Sequence, residues 1–150
     1  MARVLLYSRW DADSKEADDS GDRTVIAANV GPLVKSLSVS PEGFRHELIR
    51  LFHSEDLEFD HPEFDGLFWV CSEEPAEGRE LLSREVRNAL VALAPGSYLK
   101  LEIQDGVVIL SWSLTHSPRM ILAGLTVVAR IVEAARALHE VGVSRLALEE

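Results

Sequence analysis

The amino-acid sequence predicts an α+β fold in which about three helices pack on a largely antiparallel sheet. Three observations support this prediction. The chain has 150 residues, of which 47% are apolar and 27% charged, and this is enough to bury one hydrophobic core. A β-hairpin pattern surrounds Asp105-Gly106, and strands and helices follow one another without the regular alternation of a doubly wound parallel sheet. We therefore expect residues 1–150 to form a single domain.

The N-terminal segment predicts one short strand followed by a loop. "RVLLYSRW" contains an apolar run of strand length, whereas residues 11–22 are rich in acids and have no hydrophobic period. We expect residues 11–22 to form a mobile acidic loop and residues 1–22 to be peripheral to the domain.

Two extended segments are predicted next. "RTVIAANV" and "LVKSLSVS" carry β-branched residues with some alternation, and Gly31-Pro32 separates them. This pattern favours two strands joined as a hairpin around the glycine-proline turn.

A helix is predicted to begin at Ser40. Its hydroxyl suits an N-cap, and Pro41 suits the first helical position. The following segment, "PEGFRHELIRLF", places apolar residues on one helical stripe, which predicts an amphipathic helix. The residues of this stripe are Phe44, Leu48, Leu51 and Phe52.

A strand buried on both faces is predicted after an acidic stretch. Leu57 and Phe59 alternate with acids, as in a half-buried edge strand, and Phe64 anchors a turn. "GLFWVCS" is then a continuous apolar run, which is typical of a central strand.

The C-terminal half predicts a helix, a hairpin and a second helix. "PAEGRELLSREVRNALVAL" has helical periodicity with Ser83 as a break or cap. Asp105-Gly106 favours a type I′ turn between two strands. Ser117-Pro118 begins the last helix, which extends to about Glu140, and Gly142 suits a C-terminal cap. The first half of this helix is almost wholly apolar and the second half is amphipathic, so we expect it to start in the core and emerge from it. The tail beyond it could form an edge strand or could fray.

Composition disfavours two classes of partner. The formal net charge is −10, which repels nucleic acid. The longest apolar tract, residues 120–129, is shorter than the roughly 20 residues needed to cross a bilayer, and no secretory signal is recognisable. A single cysteine, Cys71, suits a reducing compartment and a buried structural role. We expect a cytoplasmic protein without membrane insertion.

The stretch "HSEDLEFDHPEFDG" contains the candidate metal ligands His53, Asp60, His61 and Asp65. Its spacing does not fit a calcium loop, which needs a glycine at the sixth position and a glutamate at the twelfth. A zinc-binding helix is not indicated either, because His53 follows the preceding histidine, His46, by seven residues instead of by one helical turn. Hydrated acids beside a strand are the alternative interpretation. The sequence also lacks the nucleophile elbow and the glycine-rich phosphate loops, and we expect no cofactor.

The segment "HPEFDGLFWVCSEEPAEGRELLSREVRNALVAL", followed by "LKLEIQDGVVILSW" and a closing apolar helix, resembles a loose group of uncharacterised bacterial domains. His61-Pro62 stands where that group more often has Asp-Pro. The resemblance implies a small α+β module, often appended to membrane or signalling proteins, with no assigned catalytic residues.

The sequence thus favours a non-catalytic bacterial interaction domain that binds a protein partner or forms a homo-oligomer. The candidate contact surfaces are any free sheet edge and the exposed half of the last helix, around Arg130, Arg136 and His139. The alternative function is a metal-dependent hydrolase that uses the histidine and aspartate candidates named above.

Overall fold

The computed structural model describes residues 5–9, 23–41, 57–94, 98–113 and 117–148. Six strands lie in this part of the chain: β1 (Leu5–Arg9), β2 (Arg23–Asn29), β3 (Leu37–Pro41), β4 (Phe68–Ser72), β5 (Lys100–Gln104) and β6 (Val107–Ser113). Four helices accompany them: α1 (Pro62–Leu67), α2 (Pro75–Leu81), α3 (Arg84–Leu93) and α4 (Pro118–Leu148). The strands form one sheet in the order β1-β2-β6-β5-β3-β4, and every neighbouring pair is antiparallel. The predicted α+β class is confirmed.

The main core lies between one face of this sheet and the helices. β6 alternates between buried and more exposed residues, and its buried residues are Val108, Leu110 and Trp112. This period of two is expected for a strand with one covered face. Helix α4 packs against α3, α2 and the strands β2 and β6, and it buries Val127 and Ile131 against them.

The hairpin between β5 and β6 forms as predicted. Asp105 and Gly106 have φ values of 52° and 78°, so both central residues of the turn are left-handed, as a type I′ turn requires. Gln104 and Val107 form the last strand pair before the turn.

The predicted hairpin between β2 and β3 is wrong. β2 pairs with β1 and β6, whereas β3 pairs with β4 and β5. Beyond β2 the chain crosses the turn of the β5–β6 hairpin, where the backbone N–H of Val30 donates to the carbonyl of Gly106 at 2.8 Å. A Cβ atom on Gly106 would lie 3.0 Å from the carbonyl oxygen of Gly31. The Gly31-Pro32 turn therefore serves a crossover over two strands.

β4 is an edge strand, contrary to the prediction of a central strand. All five of its residues are buried, and the backbone N–H of Leu57 donates to the carbonyl of Val70 at 2.9 Å along its outer side. Residues 57–59 form no strand of their own, which corrects the predicted edge strand there. A continuous apolar run reports burial of both faces of a strand, and it does not report the number of paired neighbours.

The predicted helix start at Ser40 and Pro41 is also wrong, because both residues belong to β3 and pair with Trp69 and Phe68. Pro41 is the last residue of β3 and lies beyond the residues of β3 that pair with β5, which end at Val39. The rest of the predicted helix, and the predicted acidic loop at residues 11–22, lie outside the described residues.

Ser83 separates α2 from α3, as predicted. Its side-chain oxygen accepts a hydrogen bond from the backbone N–H of Val86 at 3.3 Å, which makes it the N-cap of α3. The last helix begins at Pro118, as predicted, but it continues to Leu148. Gly142 is therefore not a C-terminal cap, and the tail is helical up to Leu148. A single glycine inside a helix costs only about 1 kcal/mol, which the surrounding helix formers offset.

Within the described part of the chain, no helix combines enough length with enough apolar character to cross a membrane.

Candidate functional site

An open cleft of about 380 Å³ lies where the segment before α1 meets α1 and α2. The residues that line it are Glu58, Asp60, His61, Pro62, Asp65 and Arg79. Three of the four predicted metal candidates therefore share one cleft. The fourth, His53, lies outside the described residues.

Asp65 fixes the backbone that forms the cleft. Its carboxylate accepts hydrogen bonds from the backbone N–H of Phe59 at 3.1 Å and from that of His61 at 3.0 Å. Between these two residues Asp60 has a φ of 55°, a left-handed conformation that aspartate tolerates better than most residues. The carboxylate of Asp65 is thus engaged in holding a tight turn ahead of α1.

Two arginines hold the same segment from α2 and α3. The Cζ atoms of Arg79 and Arg87 lie 5.6 and 5.0 Å from the centroid of the Phe59 ring, within the range of a cation–π interaction. Arg79 donates to the carbonyl of Glu58 at 2.7 Å, and Arg87 donates to the carbonyl of Phe59 at 3.3 Å. The Phe59 ring also meets Phe64 edge-on at 5.4 Å. These contacts tie the cleft to the helical layer.

The cleft contains side chains of types that bind metal ions together with a positive charge that opposes a bound cation. Within the described ranges, no group of three or more histidine, cysteine, aspartate or glutamate residues is placed to hold a metal ion. Asp65 accepts two backbone hydrogen bonds, and Arg79 puts a fixed positive charge in the lining. The Nδ1 atom of His61 is buried and has no hydrogen-bond partner in the described part of the structure. The described residues of the cleft therefore do not form a metal site on their own.

The thiol of Cys71 lies on β4 and is only 1% exposed. A nucleophile at this position would be closed to a dissolved substrate. Its burial agrees with the structural role predicted for this cysteine.

The three predicted contact residues on α4 differ in their surroundings. Arg130 forms ion pairs with Glu85 of α3 and with Glu133, each at 3.2 Å, so it links two helices. Arg136 and His139 are exposed, and neither makes an ion pair or side-chain hydrogen bond with the described residues. Arg130 thus has two ion-pair partners among the described residues, whereas Arg136 and His139 have none there.

Exposed apolar residues on α4 were missed at the sequence level. The apolar first half of this helix was expected to lie in the core, but Leu122 is 67% exposed and Val141 is 59% exposed. Leu122 and the buried Ile131 are nine residues apart, which places them on opposite sides of a helix that turns about 100° per residue. If Ile131 had been assigned to the core from the sequence, this nine-residue spacing would have predicted that Leu122 is exposed.

No known protein family matches the sequence, and no curated protein matches it either. Among solved structures, the crystal structure of the mycobacterial trehalose monomycolate transport factor A, TtfA, resembles this chain with a TM-score of 0.49 and 14% sequence identity. The alignment covers 89% of this chain and 71% of that chain. Similarity at this level assigns neither a family nor a function.

Proposed function

We propose that this chain is a non-catalytic bacterial interaction domain that binds a protein partner or a second copy of itself. The outer face of α4 is the proposed contact surface, and it consists of the exposed residues Arg119, Leu122, Ala129, Arg130, Glu133, Arg136, Ala137, His139, Glu140 and Val141. The observation that carries the proposal is the exposure of Leu122, 67%, in the first turns of this helix.

The surroundings of Leu122 support this choice. Met120, Ile121 and Leu125 are only partly buried, so the first turns of α4 present several apolar side chains in succession. Single exposed leucines are ordinary on protein surfaces, whereas grouped apolar residues beside arginine are typical of binding surfaces. Arg119, which is exposed in the same turns, supplies the polar rim.

The shape of α4 also suits a contact surface. The helix has 31 residues, which corresponds to a length of about 46 Å. Arg136 and His139 lie about one to two turns beyond its midpoint and are exposed. A partner that follows the helix could contact an apolar patch near its first turns and basic groups just beyond its midpoint.

The net charge supports a protein partner rather than a nucleic acid. A charge of −10 opposes binding to a phosphate backbone over most of the surface. We also propose a cytoplasmic location, because the single buried cysteine requires no oxidising compartment.

The proposal is tested by comparing two variants that each replace an exposed leucine by serine. Leu122 on α4 and Leu33 in the crossover between β2 and β3 are 67% and 65% exposed, so Leu33→Ser is a matched control. In pull-downs from native extract, Leu122→Ser should lower the amount of a retained protein at least tenfold, and Leu33→Ser should leave it unchanged. Equal retention by both variants, or no retained protein together with a strictly monomeric chain in light scattering, would contradict the proposal.

A metal-dependent hydrolase is the second candidate, favoured by the cleft that Asp60, His61 and Asp65 share. Metal analysis of the purified protein separates the two functions. Stoichiometric zinc or manganese that is lost in His61→Ala would favour the hydrolase, whereas metal-free protein that still retains a partner would favour the interaction domain.

A further inference from the structure

The outer face of α4 is a straight stripe along the helix. Successive residues of a helix are turned by about 100° around its axis, and all residues of the outer face except His139 lie within about 70° of one line. The buried residues of the same segment lie on the opposite side, and they are Gly124, Val127, Val128, Ile131 and Ala135. A second helix can therefore follow the outer face over a length of about 33 Å.

The order of side chains along this face is complementary to its own reverse. Arg119 lies near the start of the face and Glu140 lies near its end. Leu122 and Ala137 each lie about one turn closer to the middle. Both pairs are placed at equal distances from the midpoint of the face. Two antiparallel copies centred on this midpoint therefore bring arginine opposite glutamate and leucine opposite alanine, each of them twice.

We propose that α4 is a self-association helix, in which the outer faces of two copies pack antiparallel around a twofold axis between Ala129 and Arg130. The proposal rests on the proposed function, because it names a second copy of the chain as the partner of that surface. The twofold axis closes the assembly at two copies, as in most homo-oligomers. Ala129 lies beside the axis, where its small side chain allows the two helices to approach closely.

Charges on the outer face favour the antiparallel orientation. Arg119 and Glu140 are exposed, and neither forms an ion pair with another described residue. Antiparallel packing gives each of them a partner of opposite charge in the second copy. Parallel packing would instead place Arg136 opposite Arg136 and Glu140 opposite Glu140, and such like-charge contacts are unfavourable.

The local charge of the outer face also reduces the repulsion between two copies. A net charge of −10 makes two copies repel each other. The outer face differs from this total, because its charged residues besides the histidine are three arginines and two glutamates. The cleft, in contrast, has Glu58, Asp60 and Asp65 against the single Arg79. Two copies therefore meet with less repulsion through α4 than through the cleft.

The size of the face predicts a transient dimer. A strip about 33 Å long and ~10 Å wide on each copy corresponds to the low end of the size range of specific interfaces, where complexes are usually transient. We expect a dissociation constant of about 10 µM, so the dimer should be mostly formed at ~100 µM chain and mostly dissociated at ~1 µM.

Two cysteine variants on exposed alanines of α4 test the position of the axis. The two copies of position 129 lie on either side of the axis, within the range for a disulfide bond when the helices are about 8–10 Å apart. The two copies of position 137 are about 22 Å apart along the helices. Under mild oxidation Ala129→Cys should form a covalent dimer, whereas Ala137→Cys should not. The native Cys71 does not interfere because it is 1% exposed. Equal cross-linking of both variants, or no cross-linking of Ala129→Cys, would overturn the proposal.

A charge exchange between positions 119 and 140 tests the contact itself. Light scattering at ~100 µM should give a mass that approaches twice the 16.6 kDa of one chain. Arg119→Glu should raise the dissociation constant at least tenfold, because it places two glutamates opposite each other at both ends of the interface. Adding Glu140→Arg to this variant should restore the dissociation constant to within about threefold of the original value. The two positions are about 32 Å apart within one copy, so the restoration reports a contact between copies.

Lys35→Glu is the control for net charge. It changes the charge of the chain as much as Arg119→Glu does, on an exposed residue of the crossover, and it should leave the dissociation constant within about threefold. A wild-type mass of one chain at ~100 µM, or no restoration by the double variant, would overturn the self-association proposal. If Leu122→Ser still loses a retained foreign protein in that case, the proposed function stands; if both fail, it falls as well.

Discussion

Asp65 shows that an aspartate in an acidic segment can hold a backbone turn instead of binding a metal ion. The sequence named it as a metal candidate because it lies near two histidines, but its carboxylate accepts the backbone N–H groups of Phe59 and His61. Short-range spacing cannot distinguish these two roles, because an aspartate that caps a turn and one that binds a metal occupy similar acidic loops. The other predicted metal candidate before this turn, His53, lies outside the described residues.

Replacing Asp65 by alanine should destabilise the protein by about 1–2 kcal/mol, because two partly buried N–H groups lose a charged acceptor. Glu63→Ala is the control, since Glu63 is exposed in the same first turn of α1 and should cost less than about 0.5 kcal/mol. Urea denaturation measures both values. Equal costs for the two variants would mean that the bonds to Asp65 do not hold the turn.

At the scale of elements, turns and helix starts could be predicted from the sequence where they depend only on residues that are close together in the chain. The Asp105-Gly106 turn, the Ser83 cap and the Pro118 helix start depend on neighbouring residues, and the structure confirms them. The partner of β2 and the edge position of β4 depend on contacts between distant residues, which local patterning does not report. Pro41 was misassigned because proline suits both a first helical turn and a strand end.

Helix α4 approaches the sheet closely at Gly124. A Cβ atom added there would lie 2.7 Å from Cη2 of Trp112 and 2.8 Å from Cδ1 of Ile26, both fully buried side chains. Gly124→Ala should therefore destabilise the protein by about 1–3 kcal/mol through overpacking, despite the better helix propensity of alanine.

The control for this prediction is Gly66→Ala in α1, where an added Cβ meets nothing within 4 Å. It should be neutral or stabilise by up to about 1 kcal/mol. Thermal unfolding distinguishes the two substitutions. A stabilising effect of Gly124→Ala would show that α4 and the sheet are less tightly packed than described.

At the scale of the whole molecule, the order of the predicted strands and helices was sufficient for the fold class, but neither this order nor the composition predicted the location of the proposed contact surface. A net charge of −10 is a property of the total, whereas the exposure of Leu122 follows from which side of α4 meets the core. The orientation of an apolar helix becomes clear only when its neighbours are known.

The measurement that tests the central claim most directly is photo-cross-linking in the producing cells, with a photoreactive amino acid placed at position 122 of α4 or at position 33 of the crossover. If the outer face of α4 is a contact surface, position 122 gives a discrete adduct of defined mass and the equally exposed position 33 does not. No adduct at position 122, or the same adducts at both positions, would contradict the account.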